Sequence, residues 1–172
     1  MINLIGSLIV SFLVNFNTLS YSNTDRNTIN MNSYAGKKIM LVNIATSSEK
    51  IGQLAQLKQL QQQFADSLVI ILFPSNSFGK ESRTDLQIKQ FCQNSYNFTF
   101  KIAAKSNVTG TSANNVYKWL AQKNQNGDID AVVGKDFQKF VISKTGDIIG
   151  EFSSKISPMD ASIITLISTP YQ

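Results

Sequence analysis

The sequence predicts an α/β domain with a central mixed sheet flanked by helices, and three observations carry that expectation. Residues 38–45 (KIMLVNIA) and 68–73 (LVIILF) are near-continuous apolar runs of β-forming residues, the pattern of central strands buried on both faces. Between them Ile51, Leu54, Leu57, Leu60 and Phe64 recur at helical spacing among Gln and Lys, the pattern of an amphipathic helix. Strand, helix and strand of this length form a βαβ unit with a parallel strand pair.

The remaining elements follow in order. A polar, Gly-containing loop over 74–83 leads into a helix over 84–94, with Ile88, Phe91 and Cys92 on one face. A further helix over 113–123 buries Val116, Tyr117 and Leu120. Segments 137–143 and 148–152 flank Lys144-Thr145-Gly146-Asp147, the signature of an antiparallel hairpin and its turn. The last helix has a start signal, with Ser157 as N-cap, Pro158 in the first turn and Asp160 three residues after the cap. This order, a βαβ unit, a helix, then a hairpin and a terminal helix, is that of a thioredoxin-like fold with an inserted helix. A chain of 172 residues, 42% hydrophobic, has room for one such domain, placed over 16–172.

Composition removes several function classes. The absence of histidine excludes Ser-His and Cys-His nucleophile pairs and the commonest metal ligand, so no metal site and no cofactor is expected. The single cysteine, Cys92, cannot form an internal disulfide. The net charge is +5, but Lys37, Lys58, Lys89, Lys118, Lys139 and Lys155 are scattered, which reads as a solvated basic surface and argues against a nucleic-acid or anionic-membrane site. Residues 1–15 form an apolar, nearly uncharged segment. It reads either as a signal or anchor or as an added strand or helix on the core. No basic residue precedes it, and a cut at the small-residue site Ser20-Tyr21-Ser22 would enter the domain. Export or tethering and a cytoplasmic location are both left open.

Three segments carry a resemblance: Tyr34-Ala35-Gly36-Lys37 before the first strand, Val42-Asn43-Ile44-Ala45-Thr46 at its end, and Phe73-Pro74-Ser75-Asn76-Ser77-Phe78-Gly79 after the second. Together they resemble the glutathione peroxidase family, with its Y-x-G-K lead, V-N-x-A-S strand end and F-P-C-N-Q-F-G loop. IKQFC at 88–92, VYKWL at 116–120, FQKFVI at 137–142 and Ser157-Pro158 are similar to its later segments. The resemblance spans about residues 16–167.

The resemblance implies a hydroperoxide reductase that works through a cysteine or selenocysteine after the first strand. Ser48 stands there in this sequence, and a serine hydroxyl is un-ionised at neutral pH and has no sulfenic-acid state. The bland role for Ser48 is a helix cap. The family's loop glutamine corresponds to Ser77, and its W-N-F tryptophan and asparagine to Lys135 and Asp136. All four members of the catalytic set therefore differ, and an engineered change of the nucleophile would have altered only one. The four positions are expected to converge at one end of the sheet. Lys135 and Asp136 read as a solvated or paired surface loop, with small-anion binding as the alternative. Cys92 matches the resolving cysteine of thioredoxin-dependent members; on its own spacing it is a small hydrophobe on a buried face. Trp119 reads as partly buried packing. The sequons at Asn97 and Asn107 matter only in a eukaryotic secretory pathway.

The function these observations imply is a glutathione-peroxidase-like domain with a degenerate site, acting as a binding or scaffold domain. The enzyme alternative is a thiol-dependent hydroperoxide reductase using Cys92, with glutathione or thioredoxin as reductant. The resemblance further implies a monomer or weak dimer, because the stretch over 123–135 is shorter than in tetrameric members.

Overall fold

The computed structural model describes residues 13–97 and 100–170. After a 3-10 turn at Phe16–Thr18 the chain forms a short antiparallel hairpin, β1 (Ser20–Ser22) and β2 (Thr28–Asn30). β3 (Lys38–Ile44) then runs parallel to β4 (Leu68–Pro74), in register from Lys38 opposite Leu68 to Ile44 opposite Pro74. The helix α1 (Gln53–Gln63) makes the crossover. Next come α2 (Asp85–Tyr96), β5 (Lys101–Ile102), α3 (Asn115–Leu120) and α4 (Lys123–Asn126). β6 (Lys139–Ile142) and β7 (Ile148–Phe152) form the hairpin, and α5 (Ala161–Ser168) follows it. The main sheet has the order β5-β4-β3-β6-β7, parallel across its first three strands and antiparallel across β3, β6 and β7. This is the mixed sheet and the βαβ unit that the sequence predicts.

Every residue of β3 is buried, and alternate residues enter different core layers. Ile39 and Leu41 pack with Ile71, Phe73, Tyr117, Trp119 and Phe140, under β1, β2 and α3. Met40, Val42 and Ile44 pack with Leu54, Leu57, Leu60, Ile88, Cys92 and Ile163, under α1, α2 and α5. A strand covered on both faces is apolar on both, which is why the sequence of β3 does not alternate; its two polar residues, Lys38 and Asn43, lie near its ends and are hydrogen-bonded.

Several expectations need correction. The helix expected over 113–123 is shorter, Asn115–Leu120, and α4 begins separately at Lys123, because Gln122 is extended and the Asn126 amide takes the Trp119 and Leu120 carbonyls. α5 is capped by Asp160 rather than Ser157. The Asp160 carboxylate accepts from Ser162 N at 2.9 Å, while Ser157 closes a separate turn and its hydroxyl donates to Gln56 Oε1 at 3.1 Å. Asn114 and Thr84 cap α3 and α2, the latter in a reciprocal capping box with Gln87. Trp119 is fully rather than partly buried, and its indole N–H donates to Val14 O at 2.7 Å.

Lys139 does not belong to the solvated basic surface: it is fully buried in β6, and its ammonium donates to Phe137 O and Ile156 O, both at 2.8 Å. Lys38 is also buried and caps the carboxyl end of α5 through the carbonyls of Leu166, Ile167 and Thr169. The apolar segment 1–15 lies outside the described residues up to residue 12. Ser20-Tyr21-Ser22 is β1 itself, with Tyr21 buried. Among the described residues no helix is long and apolar enough to cross a membrane.

Candidate functional site

Three segments meet at the carboxyl ends of β3 and β4, the end at which open α/β sheets build their sites. The first is the turn after β3, where Ser48 N donates to Ala45 O at 3.1 Å and Ile51 N to Ser48 O at 3.0 Å. Ser48 is 4% exposed, and its hydroxyl accepts from Lys50 N at 3.3 Å within that turn. It does not cap α1, which starts five residues later at Gln53 after Gly52. The second segment follows β4, where Ser75 N donates to Ile44 O at 2.9 Å. The third is the loop before β6: Asn43 Nδ2 donates to Lys135 O at 2.8 Å, and Phe137 N to Asn43 O at 2.6 Å. These two bonds span the tip of β3 and hold Lys135 and Asp136 beside the turn that carries Ser48.

The result is a cleft of about 510 Å³ whose lining includes Ser48, Lys135 and Asp136 together with Lys50, Phe78, Lys80 and Lys155. Three of the four positions singled out in the sequence thus share one cavity. Ser77 is adjacent in the chain to Phe78, but its hydroxyl is held by Ser75 Oγ at 2.9 Å and by Val108 N at 3.1 Å, and it is not part of the lining.

The electrostatics are set by burial. Asp136 is 5% exposed and its Oδ1 has no hydrogen-bond partner among the described residues, so it is not the solvated or paired surface group expected. Burial raises its pKa above the usual carboxylate value; the nearby charge of Lys80 opposes the rise, and those of Glu49 and Glu81 add to it. Lys135 is exposed. Lys80 pairs with Glu49 at 2.6 Å.

Glu81, which the sequence reading missed, is 1% exposed and ties the two loops together. Its carboxylate accepts from Thr46 N at 2.7 Å, from the Thr46 hydroxyl at 2.8 Å and from Arg83 N at 3.1 Å. No spacing or pattern around a lone Glu between Lys80 and Ser82 signals this role.

Cys92 lies apart from the cleft lining, wholly buried on α2 in the layer with Ile88 and Leu57. Burial pushes its thiol up to about 12, with the Glu81 charge adding to the effect. Among the described residues no group of three or more Cys, Asp or Glu is arranged to hold a metal ion.

Comparison with known proteins gives this geometry a family. The glutathione peroxidase family model matches residues 16–121. A glutathione peroxidase-like peroxiredoxin of Chlamydomonas reinhardtii is 36% identical over 125 residues, covering 72% of this chain and 76% of that protein. Glutathione peroxidase-like peroxiredoxin 2 of Saccharomyces cerevisiae is 37% identical over 139 residues, covering 77% and 85%. Among solved structures, Trgpx in apo form superposes with a TM-score of 0.67 at 26% identity, covering 92% of this chain and 99% of that one. A thioredoxin-family thiol:disulfide interchange protein of Chlorobium tepidum, at 16% identity and a TM-score of 0.63 over 91% and 97% of the two chains, shares the fold. The match over more than half of the chain, the identity to two peroxiredoxins and the common thioredoxin-like sheet lead to one conclusion: the chain belongs to the glutathione peroxidase family.

Proposed function

We propose that this family member does not reduce hydroperoxides and acts as a binding domain through the cleft at Ser48. The observation that carries this reading is the separation of thiol and cleft. The position the family motifs assign to the nucleophile is a serine hydroxyl, and the chain's single thiol is sealed in the core with a raised pKa. A peroxidatic thiol needs thiolate character and access, and Cys92 has neither in this fold. Ser77, Lys135 and Asp136 do not supply the glutamine, indole and amide donors of the family motif. The opposing reading, a hydroperoxide reductase using Cys92 with glutathione or thioredoxin, draws support from the peroxiredoxin names of the relatives. It requires α2 to open.

The test is consumption of hydrogen peroxide and of an organic hydroperoxide, with glutathione and with thioredoxin as reductants. No turnover above the protein-free rate is expected. Restoring a thiol with Ser48→Cys should leave turnover poor, because the three supporting positions remain changed. Turnover by the natural chain that disappears in Cys92→Ala would overturn the proposal. The domain is further proposed to be a monomer or weak dimer, and a stable tetramer in light scattering would contradict that.

A further inference from the structure

We propose that the cleft is a receptor for a small oxyanion ligand bearing at least two acidic groups, phosphate or carboxylate, gripped by the ammonium groups of Lys50, Lys135 and Lys155 beside the buried carboxyl of Asp136. This rests on the reading of the cleft as a binding site, and it adds the chemistry of the ligand.

The first support is convergence. The three lysines come from separate parts of the chain: the turn after β3, the loop before β6 and the segment after β7. Like charges from distant segments repel, and here they line one concavity. None of the three ammonium groups has an ion-pair or hydrogen-bond partner among the described residues. Of the two carboxylates in the lining, Glu49 is already held by Lys80. The cleft therefore carries a net charge of +2 with Asp136 ionised and +3 with it neutral. Scattered surface lysines would be solvated on a convex face; a focused positive field in a cavity raises the local concentration of anions.

The second support is Asp136, which is independent of the lysines. It is nine-tenths buried, lines the same cavity, and keeps one carboxyl oxygen with no partner among the described residues. A buried polar atom without a partner carries a desolvation cost that a ligand can relieve. Protonated, this carboxyl donates to an oxyanion; ionised, it repels one. Lys80 faces it with favourable charge, Glu49 and Glu81 face it with unfavourable charge, and Lys135 is its exposed neighbour. Anion binding is therefore linked to proton uptake at Asp136, and affinity rises as pH falls through its titration.

The third support is chemical. Lys135 and Asp136 stand where the family motif has an indole and an amide, both neutral donors. Their replacement puts an ammonium and a carboxyl among the polar groups of the cleft, both able to engage an oxyanion, the carboxyl when protonated.

The experiment is isothermal titration of the full chain with inorganic pyrophosphate in one arm and citrate in the other, at low and at physiological ionic strength. Saturable binding at one site is expected in at least one arm, and the tighter arm identifies a phosphate or a carboxylate ligand. Lys135→Gln and Lys155→Gln should each weaken it about fivefold, and Lys118→Gln, outside the cleft, should leave it unchanged. Asp136→Asn should tighten binding at neutral pH and flatten its pH dependence relative to the natural chain. No saturable binding in either arm, or equal losses for Lys118→Gln and the cleft variants, would overturn the proposal, the latter by showing a diffuse basic surface. Peroxide turnover in the preceding assay would remove the parent reading while leaving a measured anion affinity intact, so the two failures are distinguishable.

Discussion

The thiol of Cys92 has Ile88 and Leu57 in its layer and no exposed surface. With its pKa at about 12, the thiolate fraction at neutral pH is roughly one part in 10⁵. Iodoacetamide should therefore leave the folded chain unmodified and alkylate it stoichiometrically in urea, as read by intact mass. Alkylation of the native chain at a rate near that of a free thiol would show that α2 opens readily. Cys92→Ser places a hydroxyl without a hydrogen-bond partner in the same pocket and should destabilise by about 1–3 kcal/mol in urea unfolding. Cys92→Ala leaves a small void and should lose less. Burial of Asp136 gives stability a pH dependence of its own. An acid whose pKa is raised by folding holds its proton more tightly folded than unfolded, so stability falls as pH rises through that window. Asp136→Asn should remove this fall, measured as a flatter plot of unfolding free energy between acidic and neutral pH.

At the scale of elements, the turn after β3 is held by its own hydrogen bonds and by Glu81 reaching across from the loop after β4. Arg83 closes the group, donating its backbone N–H to Glu81 at 3.1 Å and its guanidinium to the Thr46 hydroxyl at 2.5 Å. Glu81→Ala strands the Thr46 backbone donor in a buried setting and the Arg83 donor in a part-buried one, so a loss of about 2 kcal/mol is expected. Because the same clamp shapes the turn that carries Ser48, the variant should also lose any ligand affinity of the cleft, while Glu81→Gln keeps an acceptor and should lose less of both. A Glu81→Ala chain as stable as the natural one would show that the turn is self-supporting. The division of the third helix has the same character: the Asn126 side chain takes carbonyls that the next helical turn would have used.

Across the whole molecule, the buried lysines give stability a pH signature. Burial lowers the Lys139 pKa to about 8, with the Lys50 charge adding to it, and burial lowers that of Lys38 as well. A lysine whose folded pKa lies below its unfolded value keeps its proton better when unfolded. Stability therefore rises with pH from about 8 until the unfolded value of 10.5 is reached. Cys92 and Tyr117, whose pKa values are raised by burial, act against this once the unfolded thiol and phenol begin to ionise near 9 and 10. Urea unfolding should show a gain on the order of 1 kcal/mol between pH 7.5 and 9 that Lys139→Met removes. A flat profile in the natural chain would mean that Lys139 reaches solvent in the folded state.

The sequence by itself determined the sheet centre and the family, and it places the chain's single thiol at Cys92. β3 and β4 are apolar on both faces, and α1 carries Leu54, Leu57 and Leu60 on one stripe; such periodicities are set by backbone geometry within a few residues and are legible locally. Motif order also brought Ser48, Ser77, Lys135 and Asp136 to one end of the sheet, and all but Ser77 line the cleft. Only the tertiary structure decided that Asp136 and Lys139 are buried, that Glu81 is the clamp, that Asp160 rather than Ser157 starts α5, and that Cys92 lies outside the cleft lining. A charged side chain reads as solvated until its partners are known, and here those partners are remote: Thr46 lies 35 residues from Glu81, and the Asn43 side chain holds a loop 92 residues away. Short-range pattern specifies elements, whereas the environment of a polar side chain is a sum over contacts that exist only once the chain has folded.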